Sequence, residues 1–159
     1  MTDKQKIGGL MERGDLCLVE VMGFDWDPGK ACGILGKFGR AGIPLSYLSV
    51  GNDPSGNKHM SFCVRTDLMA EHRDLLDQIR EEFQPQEVKV NAPVIILTLY
   101  GPHFLEKVSL ASEVFNAMCA DRIRSHTLVS SVNSISVVVD VPDRDSTVAC
   151  LRERFEWPE

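Results

Sequence analysis

The pentapeptide IREEF, residues 79–83, returns in close likeness as LRERF at residues 151–155. Each copy ends a segment with apolar residues at helical spacing: Leu76, Ile79 and Phe83 in the first, Val148 and Leu151 in the second. An echo of this kind within one chain points to a duplicated unit, and duplication constrains architecture more than any single element does. Working outward from the first copy, the spacing predicts a helix over 67–83. Before it, KHMSFCVRT (58–66) alternates as a strand, with Met60, Phe62 and Val64 on one face and His59, Ser61 and Arg65 on the other. NDPSGN (52–57) has the composition of a turn, and IPLSYLSV (43–50) reads as a strand. A helix over 29–41 carries Ile34, Leu35 and Phe38, with Gly42 as its C-terminal cap, and DLCLVEVM (15–22) is a strand.

Around the second copy the order recurs. EVKV (87–90) is a short extended piece and NAPVIILTLYG (91–101) a strand. A helix over 105–119 places Val108, Ala111, Phe115 and Met118 on one side. IRSHTLVS (123–130) and SISVVVDV (134–141) are strands joined by a turn at Val132–Asn133, a helix covers 143–154, and FEWPE closes the chain, with room for a short last strand. The unit is β-α-β-β-α-β, about 70 residues long, the ferredoxin-like split βαβ pattern. The expected fold class is therefore α+β: two ferredoxin-like units with antiparallel sheets and helices on one face of each. The boundaries are a tail at 1–14, a first unit at 15–86 and a second at 87–159. A sheet covered on one face needs a partner on the other, which predicts a homodimer.

Composition narrows the function. With 43% hydrophobic and 25% charged residues among 159, the chain reads as a soluble globular protein. A net charge of −6 and the lack of any Lys/Arg cluster argue against a nucleic-acid partner. No apolar run approaches the ~20 residues of a membrane span, and the polar start does not read as a signal peptide. Cys17, Cys32, Cys63, Cys119 and Cys150 are odd in number and widely spaced, with no C-x-x-C pair. They are expected to be reduced core thiols in a cytoplasm.

The segment GFDWDPGKACGILGKF (23–38) has the most site-like chemistry. It is not a phosphate loop, because neither Lys30 nor Lys37 stands in a G-x-x-x-x-G-K-[ST] frame. Asp25-x-Asp27-x-Gly29 begins like a calcium loop but lacks the later oxygen ligands and the distal glutamate. An amino-acid zwitterion suits it better. The N–H groups at a helix start favour an α-carboxylate, Gly29 opens the backbone, and Asp25 or Asp27 can answer the α-ammonium. The plain alternative, compatible with the first, is that Asp27 is an N-cap and Pro28 the first helical residue. His59, His72, His103 and His126 lie on separate elements and form no catalytic set. Cys32 reads as a small core residue. His126 and Arg124 share a strand region facing an expected groove, where an arginine can grip a carboxylate. No catalytic residue, cofactor or metal is expected.

The strand, DPG, and helix KACGILGKFGRAGI of the first unit, then SYLSV and MSFCVRT, resemble the regulatory half of aspartate kinases, a tandem pair of ACT domains. VIILTLYG, EVFNAM, VSSVNSISVVVD and LRERFEW carry the resemblance through the second unit, so that it covers nearly all of 15–158. The resemblance implies a non-enzymatic regulatory module, standing alone because no kinase segment is present. It implies a small amino-acid effector and a metabolic enzyme as partner. It also implies interwoven units, in which 87–90 and 155–158 can each complete the other unit's sheet. The effector region maps onto Asp25, Trp26, Asp27, Pro28, Gly29, Lys30 and Ala31, onto Val50, and onto Arg124, Ser125, His126 and Thr127. Several positions depart from the family. Trp26 stands where an acid is usual, Val50 where a glutamine often serves the effector, and Arg124-Ser125 in place of an Asn-Ile pair. The second unit runs PHFLEKVS without a Pro-Gly at its helix start. The alternative is a ligand-free dimerisation subunit of an amino-acid biosynthetic enzyme.

Overall fold

The computed structural model describes residues 4–25, 27–102, 104 and 109–158. In chain order its elements are β1 (Gln5–Lys6), β2 (Gly9–Phe24), α1 (Pro28–Arg40), β3 (Tyr47–Asn52), β4 (Lys58–Arg65), α2 (Thr66–Glu71), α3 (Asp74–Phe83), β5 (Glu87–Tyr100), α4 (Leu110–Ala120), β6 (Ser125–Ser130), β7 (Ser134–Asp140), a 3-10 turn (Val141–Asp143), α5 (Arg144–Arg154) and β8 (Phe155–Glu156). They form two units. A central unit comprises Asp15–Pro93, and a terminal unit comprises Met1–Gly14 with Val94–Glu159. The division falls inside β2 and β5, so each of these strands serves both units.

In the central unit the strand order is β3-β4-β2-β5, the order of a ferredoxin-like unit. Cys17, Val19 and Val21 of β2 and Met60, Phe62 and Val64 of β4 point into one core with α1 and α3. Phe38 of α1 meets Phe62 edge-on, with ring centroids 4.8 Å apart. The face of β4 expected to be polar is also covered, since Ser61 and Cys63 are buried. Helix α1 stops in a Schellman motif. Gly42, at φ +70°, donates its N–H to Gly39 O, and Ile43 N–H reaches Phe38 O at 3.0 Å. Ile43 is thereby spent on the cap and Pro44 has no N–H, so the strand expected from 43 begins at Tyr47. The helix expected over 67–83 is two. His72 N–H turns back to the carbonyls of Leu68 and Met69, its Nδ1 lies 3.0 Å from Leu68 O, and Asp74 starts a fresh helix.

The terminal unit differs from the expected boundaries. Residues 4–14, read as a tail, form β1 and the first part of β2. Gln5 and Lys6 pair in parallel with Phe155 and Glu156 of β8, and Gly8 N–H donates to Tyr100 O at 2.7 Å. Ile7 is buried in the core of this unit beside Leu99, Phe155 and Trp157. Residues 87–93 belong to the central unit, whereas the closing strand at 155–156 stays with the terminal one. Helix α4 buries Leu110, Val114, Ala117 and Met118 and leaves Phe115 45% exposed. Of the expected stripe, Met118 is buried and Ala111 packs against the core, and Phe115 is the described residue that departs from it. The start of that expected helix, 105–108, and His103 lie outside the described residues.

Candidate functional site

The start of α1 is built by local chemistry. Asp27 has extended backbone (φ −61°, ψ 115°), and its Oδ1 accepts from Gly29 N–H at 2.8 Å. It is an N-cap, followed by Pro28, whose missing N–H is no loss at the first helical position. Lys30 N–H donates to Asp27 O at 3.0 Å. A side chain on Gly29 would put its Cβ 3.1 Å from Asp27 Oδ1, so the glycine leaves room for the cap. Lys30 Nζ pairs with Asp25 Oδ2 at 3.2 Å, and Asp25 is well exposed. The loop before α1 and its first turn thus display a carboxylate and an ammonium side by side, and Ala31 in that turn is half-buried. Trp26 lies outside the described residues. Val50 is exposed on β3, at the edge of the central unit, opposite Met60 of β4.

The second group sits in the terminal unit. Arg124 is exposed just before β6. Ser125 pairs with Val139 and Thr127 with Val138, so the register shifts at His126, the extra residue of a bulge. His126 Nε2 lies 2.8 Å from Asp140 Oδ1 across the β6–β7 hairpin. Asp140 was not among the expected site residues. Counting back from the hairpin turn at 131–133 places 126 opposite 139; the bulge at His126 breaks that count, and no sequence signal pointed to Asp140.

Three cysteines, Cys17, Cys63 and Cys150, are buried thiols. Burial pushes Cys63 up to about 12, helped by the neighbouring Cys17, and pushes Cys150 up to about 11. Cys32, expected in the core, is exposed, as is Cys119. No group of three His, Cys, Asp or Glu side chains is placed to hold a metal among the described residues. No described helix is long and apolar enough to cross a membrane.

Two split βαβ units, one completed by residues from both ends of the chain, define a paired ferredoxin-like α+β fold. No known family profile and no curated protein matches the chain. Solved structures do. The regulatory subunit of aspartate kinase from Thermus flavus superposes with a TM-score of 0.83 at 16% identity, over 93% of this chain and 97% of that one. The ligand-free regulatory subunit from Thermus thermophilus gives 0.83 at 17% identity, over 94% and 99%. E. coli aspartokinase III, solved in complex with lysine and aspartate, gives 0.72 at 16% identity, over 98% of this chain but 35% of the enzyme.

Proposed function

We propose that this chain is a regulatory protein that binds a small amino acid and conveys its presence to a metabolic enzyme of the aspartate-kinase kind. The observation that carries this reading is the whole-length likeness to free-standing regulatory subunits, which covers 97% of the Thermus flavus chain. The exposed Asp25–Lys30 pair at the start of α1 supports the ligand class, because an amino-acid zwitterion is its electrostatic complement. In this reading the α-ammonium takes Asp25, the α-carboxylate takes Lys30, and Gly29 keeps the approach open. In the terminal unit, Arg124 to Thr127 offer a guanidinium, two hydroxyls and an imidazole to a ligand carboxylate. Signalling is a population shift: the effector favours one arrangement of the protein, and a homodimer in the cytoplasm passes that preference to its enzyme.

A thermal-shift series with the twenty amino acids tests this. Lysine is the first candidate, given the lysine-bound aspartokinase III. An effector present at a hundredfold excess over its Kd stabilises by about 2.7 kcal/mol, a rise of several degrees for a chain of this size. Lys30→Ala should abolish the shift and leave the unliganded Tm nearly unchanged.

One observation favours a second reading. Both carboxylates of the loop already have partners within the chain, Asp27 with Gly29 N–H and Asp25 with Lys30. A dimerisation subunit without effector would look the same. It is the better reading if no amino acid at millimolar concentration moves the Tm.

A further inference from the structure

The central unit carries a cleft of about 370 Å³ away from the start of α1, bounded by α2, α3 and residues 90–92 of β5. Met69, Leu76, Val90 and Ala92 make its walls apolar, together with buried Cys17. Val90 is the telling position. Val88, two residues earlier on the same face of the strand, packs against the core, yet Val90 remains 41% exposed. Alternation assigns it to the covered face, and the helices leave it open. The mouth carries Arg73, Asp77 and Arg80. Arg80 donates to Asp77 at 2.8 Å, which neutralises that pair. Arg73 joins no ion pair among the described residues, so the mouth has one uncompensated cation. An apolar pocket of this size with one convergent charge is a common form of small-molecule site.

We propose that this cleft is a second ligand site, which takes a small monocarboxylate with an apolar body. The hydrocarbon lies against Met69, Leu76 and Val90, and the carboxylate is held by Arg73, whose planar fork matches it. Calorimetric titration of the full chain with octanoate, octanol and octylamine tests the assignment. Octanoate should bind saturably at one site, octanol about tenfold or more weakly because the charged hydrogen bonds are missing, and octylammonium not at all. Arg73→Gln should reduce octanoate to the affinity of octanol and leave octanol unchanged. Ala70→Leu, a helix-compatible change that fills the cleft, should remove both, with circular dichroism confirming the fold. Equal affinity for octanoate and octanol, or retained octanoate binding in Arg73→Gln, overturns carboxylate recognition. Retained binding in Ala70→Leu places the ligand elsewhere. Self-association of the unliganded protein that Ala70→Leu abolishes makes a second copy the occupant, and also overturns the proposal. Lys30→Ala, which tests the amino-acid site, should not change octanoate affinity. A loss there would merge the two sites and overturn this one alone.

Discussion

At the scale of single residues, the start of α1 is governed by one capping carboxylate. Asp27→Ala removes the carboxylate that accepts from Gly29 N–H and should cost about 1 kcal/mol in urea unfolding. Asp25→Ala should stay within about 0.5 kcal/mol, because an exposed ion pair contributes little. The cap was legible in the sequence, since Asp-Pro-Gly before an apolar helical stripe is a local signal. The Asp25–Lys30 and His126–Asp140 pairs were not, because each depends on backbone geometry and register rather than on composition. Buried thiols give a second residue-scale expectation. Cys63 binds its proton more tightly folded, at about 12, than at its ordinary 9.0. Its folded-state pKa is raised, so its contribution to stability is fully present below pH 9 and is lost as pH rises toward 12. Denaturant titrations between pH 9 and about 11 should show stability falling by about 1.4 kcal/mol per pH unit from this thiol. Cys63→Ala should flatten that slope, whatever it costs at neutral pH.

At the scale of elements, the duplicated pattern predicted helices and strands well where one face alone is apolar, and less well elsewhere. Helix α4 shows why. Leu110, Ala111, Val114, Phe115, Ala117 and Met118 are apolar nearly all round, so two neighbouring phases satisfy the spacing. Packing in the terminal unit selects the phase that buries Val114 and exposes Phe115. The split of the 67–83 segment at His72 was hidden for a related reason: its apolar stripe continues through α3, and only the backbone carbonyls reveal the break. The packing of α1 on α3 yields a sharper expectation. A Cβ on Gly33 would lie 2.7 Å from two atoms of the Phe83 ring. Gly33→Ala raises helix propensity by up to about 1 kcal/mol yet should destabilise the protein by about 1–2 kcal/mol, because the ring must move in a closed core. Combining it with Phe83→Leu should recover part of the loss, and a double-mutant cycle measured by urea unfolding reads that coupling.

At the scale of the whole molecule, chain order and unit membership part company. The repeat placed the unit boundary where its period restarts, but hydrogen bonds place the first residues of the chain with the last. No local pattern announces this, since β1 is two residues long and its partner is β8, at the opposite end of the sequence. What the sequence does hold is Ile7, an apolar residue in a polar stretch, and it is the residue that matters. It is buried at 8% exposure against the terminal core, its N–H donates to Glu156 O at 2.9 Å, and Gly8 next to it binds Tyr100. Ile7→Ala should therefore cost about 2–5 kcal/mol, although a reading of 1–14 as a tail would predict nothing. Hydrogen exchange locates the effect. Protection should fall first in α5 and β8, which share the core of Ile7, while α1 and β4 keep theirs until global unfolding. Equal loss in both sets would mean that the two cores open together as one cooperative unit. No loss in either would mean that the N-terminal residues do not complete the terminal unit.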